Sequence, residues 1–152
     1  MLPHYLLKFG LWRSLERMFD QAERSIGKPC IITSEISGAL KIEQRVEIQA
    51  YYIVTELMNN MVKHAKPNFI DGKLEIQLDF LVLTLKHDGV AINQDDYNYL
   101  LDRNIGIGIS SLAHRLSIID GELSFNRFER GGSVIIKIPY KYESKQSNGG
   151  QP

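Results

Sequence analysis

The chain has 152 residues, of which 43% are hydrophobic, so we expect a single domain with one core. Lys plus Arg equals Asp plus Glu at 18 each, which leaves no net field to favour nucleic acid or an acidic surface. The single cysteine, Cys30, excludes an internal disulfide and fits a reducing cytosol. No apolar stretch approaches the roughly 20 residues that span a bilayer, so a soluble, cytoplasmic segment is expected.

Residues 2–25 have a helical apolar pattern, and Gly10 inside it predicts two helical pieces that meet there. Gly27 and Pro29 are expected to end this helix. Residues 30–34 are rich in β-branched side chains and predict a strand, and residues 35–42 predict a connector.

Residues 43–66 predict a long helix, which Pro67 stops. Its apolar residues recur at steps of four and form one buried stripe: Ile53, Leu57, Met61 and Ala65. Four polar side chains at spacings i, i+4, i+7 and i+8 cluster on a second face: Glu56, Asn60, Lys63 and His64. The amide oxygen can bind Mg²⁺, the lysine can contact phosphate, and the acid can polarise a nucleophile. A solvated helix face would have the same pattern.

Residues 73–79 and 80–87 alternate between apolar and polar side chains, with Leu78 on the apolar side, and predict two antiparallel strands joined by a tight turn. Asp88 and Gly89 end the second strand. Residues 92–103 are polar, with a helical patch at 95–101, and predict a flexible, compact lid.

Gly106 and Gly108 precede a helical pattern at 110–119. A glycine turn that opens a helix lets backbone N–H groups approach an anion, and the helix N-terminus adds partial positive charge. Strands follow at 122–128 and 133–139. The elements together predict an α+β fold, a two-layer α/β sandwich with helices on one face of a mixed, mostly antiparallel sheet.

The order of these motifs is specific: Glu-x-x-x-Asn-x-x-Lys-His-Ala, then Asp-Gly, then Gly-x-Gly, then Gly-Gly-Ser before the last strand. As a set, they resemble the ATP-binding catalytic domain of sensor histidine kinases, in the Bergerat-type fold shared with gyrase-type and Hsp90-type ATPases. The resemblance covers roughly residues 2–140. It divides the chain into a helical segment at 1–26 that follows a missing dimerisation hairpin, an ATP-binding domain at 27–140 and a disordered tail at 141–152.

The resemblance implies ATP and Mg²⁺ as cofactors and assigns roles to residues. Asn60 would bind Mg²⁺, and Glu56 and Lys63 would act in phosphoryl transfer. The remaining nucleotide contacts would come from His64, His87, Asp88, Gly89, Gly106, Ile107, Gly108, Ile109 and Ser133, with Ser133 backing the adenine pocket.

The turn after residue 87 departs from the family's Asp-x-Gly-x-Gly pattern. His87 occupies the place of the first Asp, which accepts a hydrogen bond from the adenine amino group, and Ala91 occupies that of the second glycine. A neutral imidazole offers one acceptor nitrogen, so His87 is expected to receive the amino proton. Strand alternation would turn Asp88 to the other face.

The predicted function is therefore transfer of the γ-phosphoryl group of Mg-ATP to a histidine on dimerisation helices outside this chain, with a response regulator as a further partner. Two alternatives stay open: a degenerate nucleotide-fold module that serves as a scaffold, and a serine kinase of the anti-sigma-factor type. The Leu-Pro and Gly-Leu pairs in residues 2–11 speak against the serine kinase.

Overall fold

The computed structural model describes residues 3–36 and 41–140. In chain order its elements are α1 (His4–Ile26), β1 (Cys30–Ser34), α2 (Gln44–Asn60), a π-helical turn (Met61–Ala65), β2 (Ile70–Gln77), β3 (Phe80–His87), α3 (Gln94–Asp102), α4 (Ile107–Ile118), β4 (Glu122–Arg127) and β5 (Gly132–Pro139). The tail predicted at 141–152 lies outside the described residues. No helix within them is long and apolar enough to cross a membrane.

The five strands form one sheet in the order β1-β2-β3-β5-β4. β1 runs parallel to β2, and the other neighbours are antiparallel. The helices bury their apolar faces against this sheet, and the core centres on side chains such as Leu15, Ile53, Leu85 and Ile136. The predicted α+β sandwich is confirmed.

Gly10 breaks α1, as its sequence predicted. Its φ of 83° and ψ of 177° are not helical, so the helix begins again after it. The freed Leu11 N–H donates to Glu47 Oε2 on α2 at 2.7 Å. Desolvation nevertheless raises the pKa of Glu47 above its usual value. The kink is thus held by a side chain of the helix that carries the candidate site.

Several boundaries differ from the sequence prediction. The long helix changes at Asn60 from α to π geometry, which no residue in the sequence marks. β2 begins at Ile70 rather than at residue 73. Leu78, predicted to alternate into the core, lies instead in the β2–β3 turn at a φ of 54° and is 93% exposed. A two-residue hairpin turn favours positive φ, and this geometry overrides the apolar pattern.

The segment predicted as a flexible lid is docked on the sheet. Asn93 and Asp96 form a capping box at the start of α3. Tyr97 is buried and stacks on Phe125 of β4 with ring centroids 4.6 Å apart, and the Phe125 N–H donates to Gln94 Oε1 at 2.8 Å. The segment therefore forms a wall of the fold.

Candidate functional site

A cavity of about 510 Å³ lies between the helices and the sheet. One side, the helix wall, consists of Glu56, Asn60, His64, Gly106 and Gly108. The opposite side, the sheet floor, consists of His87, Phe125 and Val134, which end three neighbouring strands or lie near their ends. The cavity thus has a polar side, at the ends of two helices, and a mostly apolar side on the sheet.

The π-helical turn decides which polar residues of the long helix reach the cavity. Hydrogen bonds from i to i+5 put more residues in each turn than the 3.6 of an α-helix. Glu56, Asn60 and His64, at steps of four, therefore all line the cavity. Lys63, predicted to share their face, is exposed and outside the lining, because the wider turn rotates it away.

The glycine turn meets the long helix directly. A Cβ added at Gly108 would overlap Glu56 Oε1, so the absence of a side chain there lets the carboxylate lie against the first turn of α4. Gly106 caps this helix with a φ of 88°, a conformation that glycine adopts without strain. The first turn of α4, whose N–H groups have no acceptor within the helix, thus lies beside Glu56 on the helix wall.

His87 is 5% exposed, and its side chain faces the helices together with Leu85. Its Nδ1 accepts a hydrogen bond from the Gly89 N–H at 3.1 Å. Because a backbone N–H can only donate, Nδ1 holds a lone pair and the proton of the neutral ring lies on Nε2. Burial lowers the pKa of His87, and the nearby Asp88 carboxylate offsets this only in part. The ring is therefore a neutral Nε2–H donor, whereas the sequence had suggested an acceptor.

Asp88 and Gly89 do not line the cavity. The Asp88 carboxylate accepts hydrogen bonds from the N–H groups of Asn68 and Phe69, at 2.7 and 3.2 Å. Desolvation alone would raise the pKa of Asp88, but these hydrogen bonds lower it. A Cβ at Gly89 would overlap the Ala65 carbonyl oxygen. Asp88 thus attaches the β3 turn to residues 68–69, and Gly89 packs against the π-helical turn at Ala65.

Ser133 borders the cavity, but strand register directs its hydroxyl elsewhere. It pairs with Lys86, and directly paired residues share a face of the sheet. Lys86 is exposed on the outer face, so Ser133 contributes main chain to the cavity. Gly132, paired with His87, occupies the inward position, where a Cβ would overlap Ala91. The motif comparison had assigned Ser133 to the adenine pocket, but the residue of β5 that faces the cavity at this level is Gly132, one position earlier.

Ile109 lines the cavity, and Ile107 lies at the first position of α4. Sequence reasoning missed the aliphatic part of the lining, which includes Ile92, Leu100, Ile105 and Leu112. Leu100 and Leu112 follow the same helical periodicity as core residues, and Ile92 and Ile105 lie outside the helices and strands, so no signal in the sequence marks them as cavity residues.

The donor set is suited to a hard cation held together with phosphate. Within the described residues, no group of three or more His, Cys, Asp or Glu side chains could hold a metal ion. Mg²⁺ usually keeps several waters and binds one or two protein oxygens plus substrate phosphates. The Asn60 amide, which lines the cavity, is a suitable protein ligand for such an ion.

No family model matches the chain, but individual proteins do. The signal transduction histidine-protein kinase/phosphatase DegS of Bacillus subtilis is 24% identical over 143 residues, which cover 90% of this chain and 36% of DegS. The oxygen sensor histidine kinase NreB of Staphylococcus carnosus is 21% identical over 138 residues, or 90% of this chain and 38% of NreB. This chain thus spans little more than a third of the length of these relatives.

Among solved structures, the catalytic domain of the histidine kinase ThkA superposes with a TM-score of 0.70 at 16% identity, over 88% of this chain and 93% of that domain. The fold is therefore that of the histidine kinase catalytic domains. The resemblance predicted from the motif order is confirmed by the relatives and by the fold.

Proposed function

The chain resembles the catalytic domain of sensor histidine kinases in sequence and shares its fold, and from this premise we propose that it binds a magnesium–nucleoside triphosphate and transfers the γ-phosphoryl group to a histidine. The acceptor would lie on dimerisation helices outside this chain. ATP is the nucleotide that the resemblance implies. The proposal places the domain in the cytoplasm, where a response regulator would take up the phosphoryl group.

One observation carries the proposal: the cavity is bordered both by Asn60 and by the glycine turn that opens α4. An amide oxygen is a ligand for Mg²⁺, and the first turn of a helix offers N–H groups and partial positive charge to phosphate. Asn60 and the glycine turn border the same cavity of about 510 Å³. A nucleotide with its metal would contact the two together.

Each residue of the helix wall would have a separate task. Asn60 would hold Mg²⁺, which neutralises triphosphate charge when bound, and the 106–108 backbone would hold the phosphates. Glu56 lies beside this backbone and would orient the attacking histidine and take up its proton. Positioning and charge neutralisation account for most phosphoryl-transfer catalysis, which suits a site with so few side chains.

His64 would meet a phosphate oxygen from the end of the wall. Lys63, expected to do the same, lies outside the cavity lining, and we assign it no contact with the nucleotide. The response regulator as a partner has a precedent in ThkA, which has been solved in complex with its response regulator TrrA.

The test is a calorimetric titration of the protein with Mg-ATP and, in parallel, with Mg-GTP. We expect a dissociation constant of about 10⁻⁵–10⁻⁴ M for at least one of them, or ~5–7 kcal/mol. Asn60→Ala should weaken binding more than tenfold. Asn59→Ala is the matched control, because Asn59 is exposed and outside the cavity, and it should leave affinity unchanged.

Absence of binding by either nucleotide at millimolar concentration would contradict the proposal and favour a scaffold role. Equal losses in the two asparagine variants would mean that Asn60 acts on the fold rather than on the metal. Adding the dimerisation helices and assaying for phosphohistidine would then separate a histidine kinase from a serine kinase.

A further inference from the structure

The inside of the kink in α1 holds a second cavity, with a volume of about 240 Å³. Its lining comes from residues 3–6, before Gly10, from residues 14–21, after Gly10, and from Tyr51 of α2. None of these residues lines the cavity between the helices and the sheet. This second cavity, the elbow pocket, is lined by Pro3, His4, Tyr5, Leu6, Ser14, Arg17, Met18, Gln21 and Tyr51.

The kink folds the two pieces of α1 toward each other. In a straight helix the Cα atoms of Tyr5 and Arg17 would lie about 18 Å apart along the axis, too far for their side chains to meet. The Arg17 guanidinium instead lies over the Tyr5 ring, with Cζ 4.4 Å from the ring centroid. The Ser14 hydroxyl donates to the Gly10 carbonyl at 2.8 Å and holds the second piece at the kink. The elbow pocket is therefore a built part of the fold.

The polar side chains of the elbow pocket carry many hydrogen-bond donors. Arg17 has five N–H groups, the Gln21 amide has two, and the Tyr51 hydroxyl and the His4 imidazole have at least one each. No described Asp or Glu lines the pocket. Within the part of the chain that the structure describes, none of these four side chains has a hydrogen-bond or ion-pair partner. Donors from both sides of the kink thus converge with no carboxylate to accept from them.

Arg17 is prepared to bind a carboxylate. Its contact with the Tyr5 ring is an attraction between a cation and an aromatic face and uses no N–H group, so these groups stay available to a ligand. Two N–H groups of a guanidinium match the two oxygens of a carboxylate in a bidentate pair. The contact with Tyr5 also restricts the side chain, so less rotamer freedom is lost when a ligand binds.

The rest of the elbow pocket is apolar. Pro3, Leu6 and Met18 border it together with the rings of Tyr5 and Tyr51. These surfaces suit the carbon body of an organic acid. Inorganic phosphate is polar on every side and would lose hydration there without replacement. One guanidinium, moreover, balances the single charge of a carboxylate.

We propose that the elbow pocket binds a small organic carboxylate. Arg17 pairs with the carboxylate oxygens, Gln21 one turn further along the same helix face and His4 on the other piece of α1 add hydrogen bonds, and the apolar body packs against Met18. Because these donors come from both sides of Gly10, the bound acid bridges the two pieces of α1 and fixes the angle between them. The proposal does not depend on nucleotide binding.

The test is a titration of the whole chain with sodium benzoate, followed by the backbone and arginine side-chain N–H signals in nuclear magnetic resonance spectra. Arg17, Gln21 and His4 are exposed, so water competes, and we expect a dissociation constant on the order of 10⁻³ M. Benzamide has a similar shape without the charge and should bind at least about tenfold more weakly. Inorganic phosphate should also bind more weakly than benzoate.

Variants separate the paired N–H groups from charge alone. Arg17→Gln should weaken benzoate binding by about tenfold or more. Arg17→Lys keeps the charge but loses the bidentate pair, and should weaken binding by about threefold or more. Arg13→Gln is the matched control, because Arg13 is an exposed arginine of the same helix outside the pocket, and it should leave the affinity unchanged.

Hydrogen exchange reports whether the acid bridges the two pieces. The Leu7 N–H donates to the Pro3 carbonyl at 3.2 Å in the first turn of α1, and opening of this turn takes the pocket apart. With benzoate at ten times its dissociation constant, exchange of the Leu7 N–H should slow by about tenfold. In Arg17→Gln the same benzoate concentration should slow it much less.

Equal binding of benzoate and benzamide would overturn the proposal, as would tighter binding of phosphate or no binding of benzoate at about 0.05 M. Equal losses in Arg13→Gln and Arg17→Gln would reduce the effect to general charge and overturn it as well. Binding that leaves the exchange of Leu7 unchanged would overturn the bridging of the two pieces. Should a variant fail to fold, the comparison of benzoate with benzamide on the wild type still decides.

Discussion

The helix wall and the sheet floor of the cavity are built in different ways. The helix wall combines three polar side chains, Glu56, Asn60 and His64, with the backbone of the first turn of α4, where Gly106 and Gly108 carry no side chains. The sheet floor relies on one polar side chain, His87, whose hydrogen-bonding direction is fixed by Gly89. In the proposed function the wall would bind the phosphates and the metal, and the floor would contact the base.

This division separates catalysis from selection. In the proposed function the backbone N–H groups of α4 and the Asn60 amide do not contact the base, so we expect that a change at the floor alters nucleotide binding without altering phosphoryl transfer. The reverse also follows, because no side chain of the wall belongs to the floor. Variants at the two sides should therefore have separable effects.

The largest effect is expected at the helix wall. Glu56→Gln keeps the shape of the side chain against Gly108 but removes its basicity, so phosphohistidine formation on added dimerisation helices should fall by about 100-fold. Nucleotide affinity should change less than threefold. A parallel loss of affinity would show that Glu56 holds the nucleotide rather than the proton.

The next largest effect concerns the turn that orients the floor. Gly89→Ala forces a Cβ into the Ala65 carbonyl, which is backbone and cannot move aside, so the free energy of unfolding should fall by about 3 kcal/mol in urea denaturation. Gly27→Ala is the matched control: it has a φ of 69° but open space around it, and should cost only about 1 kcal/mol. Equal losses would mean that the contact with Ala65 does not constrain the turn.

A smaller effect is expected from acid. The pKa of His87 is lowered by burial, so the unfolded chain binds its proton more readily than the folded chain. The stability that His87 contributes is present above the unfolded value of about 6.5 and is lost as pH falls through the folded value. Between pH 7.5 and 5.5 the wild type should therefore lose about 1 kcal/mol relative to His87→Asn.

The two proteins share the other three histidines, so their contributions cancel in the comparison. Parallel stability curves for wild type and variant would show that His87 is not held neutral.

The smallest effect separates two neighbours on the long helix. His64→Ala removes a residue of the helix wall and should weaken nucleotide binding several-fold. Lys63→Ala should leave affinity within about twofold, because surface charges outside the site contribute little. A larger loss of affinity in Lys63→Ala would show that Lys63 contacts the nucleotide, which would contradict the view that the π-helical turn rotates it away from the cavity.

Local signals in the sequence predicted much of the fold. Gly10 and Gly27 mark the kink and the end of α1, and both adopt the positive φ that glycine permits. Alternation predicted β3 to the residue, but it failed at Leu78, where the geometry of the turn decides.

The site was harder to predict because it depends on non-local contacts. Asp88 and His87 are neighbours in sequence, yet one fastens a turn and the other lines the cavity. The π geometry after Asn60 turns Lys63 away from the cavity, and no residue type in 61–65 predicts that geometry. Strand pairing, rather than composition, turns the Ser133 hydroxyl to the outer face.

The most direct test of the central claim is a nuclear magnetic resonance titration with the magnesium nucleotide. The account predicts that the backbone amides of Gly106 and Gly108 and the side-chain amide of Asn60 shift together, with one dissociation constant, and that Asn60→Ala weakens the shifts of the glycines. Glycine shifts that occur without any change at Asn60, or with a different midpoint, would show that the helix and the glycine turn do not hold one ligand between them.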